Sequence, residues 1–448
     1  MVPDAGLHNE LSLKLAHRAG EARRREYAKE ASPQPVREVT VDVVHARCGG
    51  IDVHQASLAV CVSIKEEGRR ETHKLRCGTS TAELLRMSDW LREQGVTHVA
   101  MEATGVYWKP VWHVLENQFH LLLANPLQVK ALRGRKTDLK DGERIADFLQ
   151  HGLLQGSFVP PPAIQQLRDL TRSRTVLKQE QTRIGNRILK VLEDANIKLS
   201  AVMSDVMGVS GREMLRAIVQ GECDAAKLAE MARGRLRGKI PVLQQAATGS
   251  LNEHHRFLLE QWLAMWDELG VRVAKFEERI EERMRPFEPA VKAWASLPGI
   301  ERVTAWTLVA EMGVDMSQFP TAAHAASWAA LCPGQEESAG KQHSGRTRRG
   351  NVWLRRALTQ AAWAASFTKG SYFKALYHRL AARRGKKRAI IAVAHSVLVT
   401  GYMLLWTKRE FQDLGADYFE RIDSHRLTRR LVKRLERLGH KVSLQPAA

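Results

Sequence analysis

Four carboxylates and one serine are the residues of this chain whose types and spacing suit phosphate chemistry. Asp52 stands in the apolar run Gly50-Ile51-Asp52-Val53, and Glu102 ends a second, Val99-Ala100-Met101-Glu102. Asp138 and Asp141 lie in Lys136-Thr137-Asp138-Leu139-Lys140-Asp141, at the start of a run with helical spacing. Residues three apart on a helix share a face. Carboxylates at the ends of separate strands can converge on one point, and four of them could bind two hard divalent cations, which prefer oxygen ligands. Two such ions can clamp the attacking and leaving oxygens of a phosphodiester. Singly, each acid is also an ordinary strand-end or helix N-terminal residue, where a carboxylate is favoured anyway.

The serine lies in Ser338-Ala339-Gly340-Lys341, followed by His343, Ser344, Arg346, Arg348 and Arg349. Small neighbours leave room for a phosphate, and the guanidinium and ammonium groups of Lys341, Arg346, Arg348 and Arg349 can offset charge on a pentavalent phosphorane. Such a hydroxyl could attack a phosphodiester and store its energy in a phosphoserine bond. On residue types alone, a loop serine in a nucleic-acid-binding turn fits at least as well. No general base is evident; His343 is a candidate, although a lone histidine also reads as a surface or phosphate contact. A third segment, Ser296-Leu297-Pro298-Gly299-Ile300-Glu301, reads as helix, tight turn, helix. It resembles a helix-hairpin-helix, whose backbone N–H groups could face a phosphate. Glu301 replaces the usual second glycine and would repel phosphate, so a purely structural turn is equally open.

The elements that must position these groups follow from periodicity. Residues 51–53 and 58–62 read as strands, and 71–77 as a third. Residues 81–94 have helical spacing, with Leu84, Leu85, Met87, Trp90 and Leu91 as core positions. Residues 97–101 form a strand, 120–124 a further apolar run, and 141–151 a helix. This order predicts an α/β domain with a mixed sheet. Pro160-Pro161-Pro162 is a boundary, since three prolines continue neither a helix nor a central strand. Beyond it, Leu170, Leu177, Ile184 and Val191 stand seven apart in a long helix, interrupted on the companion positions by Arg174 and Gln181. A second long helix carries a cleaner heptad seam, Leu259, Trp262, Trp266, Leu269, Val273, Phe276 and Ile280. The two read as a coiled-coil arm, paired within one chain or between chains. A last helical domain follows.

Composition sets the partner class. Of 448 residues, 69 are Lys or Arg and 49 Asp or Glu, a formal charge of +20 that implies a polyanion, nucleic acid before membrane. The 44% hydrophobic share fills a core and excludes wholesale disorder. Residues 341–388 hold 14 Lys or Arg and no acid, which reads as a polyanion-binding surface. Residues 427–441 form a basic amphipathic helix. The five cysteines are scattered without a CxxC pair, which fits a reduced cytoplasmic compartment. No stretch approaches the roughly 20 apolar residues of a membrane span, the best candidate being residues 394–406. The expected organisation is a basic extension over 1–45, an α/β domain over 46–159, a helical arm over 160–287, a helical domain over 288–410 and a basic tail over 411–448.

Read together, these segments are identifiable. Gly50-Ile51-Asp52-Val53-His54, Met101-Glu102-Ala103-Thr104-Gly105-Val106-Tyr107-Trp108 and Gly134-Arg135-Lys136-Thr137-Asp138-Leu139-Lys140-Asp141 occur in that order. They precede Leu297-Pro298-Gly299-Ile300, Ser338-Ala339-Gly340-Lys341 and Arg348-Arg349-Gly350-Asn351. The series closely resembles the DEDD-type serine transposases of bacterial insertion sequences, also called bridge-RNA-guided recombinases, over about residues 46–405. The resemblance implies an N-terminal RuvC-like domain of the RNase H fold, a coiled-coil arm and a C-terminal transposase domain. It implies that Asp52, Glu102, Asp138 and Asp141 bind magnesium, and that Ser338 links covalently to DNA in a composite site with acids of another subunit. It also implies a structured guide RNA that pairs with donor and target DNA, and a homo-oligomer, dimer or tetramer. Gly142 follows Asp141 where family members usually carry alanine, which weakens the helix start. Ser344, close to Ser338, is the competing serine. A RuvC-like metal-dependent nuclease that hydrolyses with water, Ser338 being structural, is the alternative reading.

Overall fold

The computed structural model describes residues 42–66, 69–103, 105–124, 138–334, 336–338, 341–344, 346–347, 350–422 and 424–445. Most of the expected basic extension, with Arg348 and Arg349, lies outside the described residues; Asp138, Ser338 and Lys341 are described by their backbone. Two compact units divide between Val159 and Pro160.

The first unit is built on β1 (Arg47–Val53), β2 (Ser57–Glu66), β3 (Arg69–Gly78), α1 (Thr81–Glu93), β4 (His98–Glu102), α2 (Trp108–Leu115), β5 (His120–Ala124) and α3 (Asp138–Gln150). The sheet order is β3-β2-β1-β4-β5; the first three strands are antiparallel, and β4 and β5 run parallel to β1 and to each other. Strand side chains alternate between two faces. Ile51, Val53, Val99 and Met101 form one core with Leu84, Met87, Leu91 and Leu115 of α1 and α2. Cys48, Ala100 and Ala124 form a second with Ile145 and Leu149 of α3. The edge strand β3 is charged and exposed, which blunts pairing with another chain.

The second unit begins with α4 (Pro162–Asp194), continues through four short helices, α5 (Leu199–Val202), α6 (Val209–Val219), α7 (Ala225–Glu230) and α8 (Ile240–Ala247), and returns along α9 (Glu253–Met284). Helices α4 and α9 are antiparallel partners within one chain, one of the two pairings that the heptad seam left open. Asp194 meets His255 at 3.0 Å, Gln181 donates to the Trp266 carbonyl at 3.1 Å, and Arg174 donates to Glu277 at 2.9 Å. Arg174 and Gln181, which break the seam on paper, are therefore satisfied by the partner helix. Of the seam residues, Leu259, Leu269, Val273 and Ile280 are buried, while Trp262, Trp266 and Phe276 are only partly covered.

The remainder is α10 (Glu288–Ala295), α11 (Arg302–Met312), α12 (Ala322–Trp328), a hairpin of β6 (Glu336–Ser338) and β7 (Lys341–Ser344), α13 (Val352–Phe367), α14 (Tyr372–Arg384), α15 (Lys386–Thr407), α16 (Tyr418–Ile422) and α17 (Ser424–Arg437). Helix α15 is apolar and long enough to cross a membrane by length and composition, contrary to the sequence expectation that no stretch is. It is a core helix: Val393, Ala394, Val397 and Leu398 are fully buried, and Gly401 lies so close to Trp294 that an added Cβ would stand 2.0 Å from the indole ring.

Candidate active site

The acids come to one edge of the first sheet. The parallel register of β1 and β4 pairs Ile51 with Met101, so Asp52 and Glu102 follow side by side at the C-terminal ends of their strands. Alternation sends Cys48, Gly50 and Asp52 to the face covered by α3, along with Ala100 and Glu102. Helix α3 runs antiparallel to β1. Its C-terminal Gln150 meets Ser63 of β2 at 3.0 Å, whereas Gly142 in its first turns lies against Gly50 and Ala59. Asp138 and Asp141 therefore start α3 at the edge that carries Asp52 and Glu102.

Two glycines allow this approach. A Cβ on Gly50 would lie 2.3 Å from both the Ala146 nitrogen and the Gly142 carbonyl oxygen. A Cβ on Gly142 would lie 2.8 Å from the Ala59 carbonyl oxygen. The helix thus meets the strands backbone to backbone, and Gly142, a weak helix residue on sequence grounds, is what that contact requires. Lys74 with Glu143 at 2.7 Å and Arg70 with Asp147 at 2.8 Å pin the helix to β3 from the side.

Asp52 is 7% exposed, and its Oδ2 lies 3.2 Å from His54 Nε2. Sequence reasoning quoted His54 in a motif but assigned it no role. Asp141 is half-buried and accepts from Arg144 at 3.3 Å. All-oxygen donors suit a hard divalent cation. Among the described residues, no three His, Cys, Asp or Glu side chains cluster closely enough to hold a metal, and the side chain of Asp138 is not among those described.

The serine belongs to the second unit. Ser338 pairs with Lys341 at the closed end of the β6–β7 hairpin, while Ser344 pairs with Glu336 at the open end. The two serines therefore differ in kind: one is at the tip, the other at the root. Below the root, Pro333 bridges Thr347, and the Gly334 N–H donates to the Arg346 carbonyl at 2.7 Å. Arg346 is exposed there.

A buried ionic cluster lies where the chain returns from the hairpin, and sequence reasoning missed it. Glu311 of α11 is fully buried. Arg172 of α4 donates to both its oxygens, at 2.7 and 2.8 Å, and Asn351 Nδ2 donates at 2.6 Å. Arg168 donates to the Ala310 carbonyl at 2.8 Å and to the Glu311 carbonyl. Burial pulls the Arg168 guanidinium down to about 10, with Glu311 opposing, so it stays charged at neutral pH. Asn351 Oδ1 caps α13, accepting from the Trp353 and Leu354 N–H groups at 3.0 and 3.1 Å. The available signal was one acid inside an otherwise apolar helix, Leu308-Val309-Ala310-Glu311-Met312.

The turn between α10 and α11 packs inward. Leu297 and Ile300 are buried, and Gly299 has φ +82° with α13 against it: a Cβ there would lie 2.4 Å from the Ala365 nitrogen. This geometry favours the structural turn over the phosphate-binding one. Around the junction of α14 and α15, Arg383, Arg384, Lys386, Lys387 and Arg388 are all exposed. This end of the acid-free segment therefore presents its charge to solvent.

Residues 49–197 match a family model for the DEDD domain of this class, described as Transposase, and residues 292–378 match one described as Transposase IS116/IS110/IS902 family. Together the matches cover just over half of the chain. No curated protein matches it. The mixed five-stranded sheet, apart from the first two residues of β1, lies within the first match and is consistent with an RNase H-like fold. The acid edge and the serine hairpin thus fall one in each matched region, and the chain belongs to the IS110/IS116/IS902 family of transposases, enzymes that act on DNA.

Proposed function

We propose that this transposase moves its element by transesterification, with the DEDD acids and Ser338 serving one reaction. The reading is supported most by the acid edge: Asp52 and Glu102 side by side at strand ends, with the first turn of α3 over the same face. In it, Asp52, Glu102, Asp138 and Asp141 of a RuvC-like domain hold magnesium, which when bound polarises the scissile phosphate. Ser338 Oγ gives up its proton to solvent and bonds to phosphorus as the bond to the leaving deoxyribose oxygen breaks and that oxygen takes up a proton, so bond energy is kept in a phosphoserine link to DNA. Lys341, Arg346, Arg348 and Arg349 offset the charge that develops on the phosphate. From the resemblance come a structured RNA that pairs with donor and target DNA, and assembly as a dimer or tetramer; the cytoplasmic setting comes from the scattered cysteines.

The test is excision in cells from the gene with its native flanks, read as the circular junction product. Loss of the circle in both Asp52→Asn and Ser338→Ala, with a protein–DNA adduct in the parent, is the expected result. Loss only in Asp52→Asn, with free nicked ends, would replace the serine mechanism by metal-dependent hydrolysis. Full strand exchange by Ser338→Ala removes the nucleophile role outright.

A further inference from the structure

We propose that Glu311 is a positioning residue for Ser338, through a buried cluster that locks the root of the β6–β7 hairpin to α4 and α11. The proposal rests on the serine reading of the preceding section. The hairpin has strands of only three and four residues, and a two-stranded hairpin by itself is marginal in water. Something else must therefore hold its tip in place.

Both stems converge on one spot. The chain enters from α12, whose last residue Trp328 offers its carbonyl to the Asn351 N–H at 3.4 Å on the returning stem. Gly350 lies so close that a Cβ would sit 2.7 Å from that same Trp328 oxygen. Asn351 then turns its amide onto Glu311 and its carbonyl oxygen onto the first turn of α13. Arg172 fills the remaining positions on the carboxylate, and the Arg172 and Arg356 guanidinium groups each lie 5.7 Å from the Trp353 ring centroid.

The cluster therefore ties residues 168–172, 311 and 351, distant in sequence, into one rigid node at the return from the hairpin. A buried ion pair adds little net stability against a well-packed apolar replacement, but removing one partner leaves the other buried without compensation, so Glu311→Gln disturbs every donor that the cluster holds. Displacing a reacting group by about 1 Å can cost on the order of a hundredfold in rate.

The test uses the full-length protein in parallel with Glu311→Gln, Ser338→Ala and the double variant Glu311→Gln/Asn351→Asp. The double variant returns one carboxylate and one amide to the cluster and keeps an N-cap on α13. In Glu311→Gln, backbone hydrogen exchange over residues 331–351 should quicken about tenfold or more while α15 keeps its protection. The rate of adduct formation on element-end DNA should fall about tenfold or more, with DNA affinity within about twofold, and the double variant should recover much of it. Parental exchange and adduct rates in Glu311→Gln, with Ser338→Ala dead, overturn the proposal. So does a uniform rise in exchange across the whole second unit, which would make Glu311 only a stability residue. An adduct that survives Ser338→Ala overturns the serine reading itself, and is told apart by that variant alone.

Discussion

The acid edge and the serine hairpin solve the same problem in different ways. Asp52 and Glu102 sit on adjoining strands of a five-stranded sheet, where ladder bonds and flanking cores fix the backbone on both sides. Their helix partner is brought in by two glycines and side-chain staples. Ser338 has no such frame. Its hairpin is short and lies between α12 and α13, with a buried carboxylate and its donors at the return point. A sheet edge is rigid by construction, whereas a hairpin tip is rigid only if its root is anchored. The first region should therefore fail through steric damage to the backbone contact, and the second through loss of a few directional bonds.

The largest expected effect tests the first half of that contrast. Gly50→Val should destabilise the first unit by ~3 kcal/mol or more, since its Cβ would meet backbone that cannot yield, and should abolish the circular junction product. Gly49→Ala is the milder control: the nearest atoms to its Cβ would be side chains, Leu91 at 3.3 Å, Val99 at 3.5 Å and Val96 at 3.7 Å, so the loss should stay near ~1 kcal/mol. Equal melting temperatures for the two variants would remove the glycine argument.

Gly299→Ala should cost ~2–3 kcal/mol through its left-handed backbone and the contact with α13, leaving DNA affinity at the parental value in the folded fraction. A selective loss of affinity at unchanged melting temperature would restore the phosphate role of that turn. Asn351→Ala removes an N-cap and one donor to Glu311, and should lower stability by ~1–2 kcal/mol in chemical denaturation. If the contrast holds, its adduct rate falls further than this loss of stability explains.

The smallest effect concerns pH. Burial pushes the Cys48 thiol up to about 12 and the Cys61 thiol up to about 11, so both stay protonated in the folded state well above the ordinary value of 9.0. The unfolded chain ionises there, which lowers its free energy relative to the folded state. Stability of the first unit should therefore decline as pH rises beyond 9, by no more than ~1 kcal/mol per thiol at pH 9.5. Cys48→Ala should flatten that limb; an unchanged alkaline slope would mean that the thiols do not carry it.

The buried strands of the first unit, α1, α3 and both long helices were legible because apolar spacing of two or near 3.6 reports a buried face directly, whereas the β6–β7 hairpin, short and polar, reads as a loop. Helix α2 was missed: of its eight residues only Val111 and Leu115 are buried, and its first turn reads Trp108-Lys109-Pro110. The acids were legible as types at strand and helix ends, but their common edge was not, because it depends on a parallel pairing across some fifty residues. Gly142 read as a defect until Ala59 stood opposite it. Glu311 read as nothing, because a buried carboxylate is defined by donors that lie far away in the chain.

Local sequence, then, determined the elements, the charge and therefore the class of partner, and the ordered motifs that carry the family. Those properties depend on near neighbours, which the chain order states. Tertiary structure alone decided that α4 and α9 pair within one chain, that α15 is a core helix, that the Gly299 turn packs inward and that Glu311 lies beneath the hairpin root. Each of these turns on which surfaces exclude water together and which buried groups find partners, and both are settled only when distant segments meet.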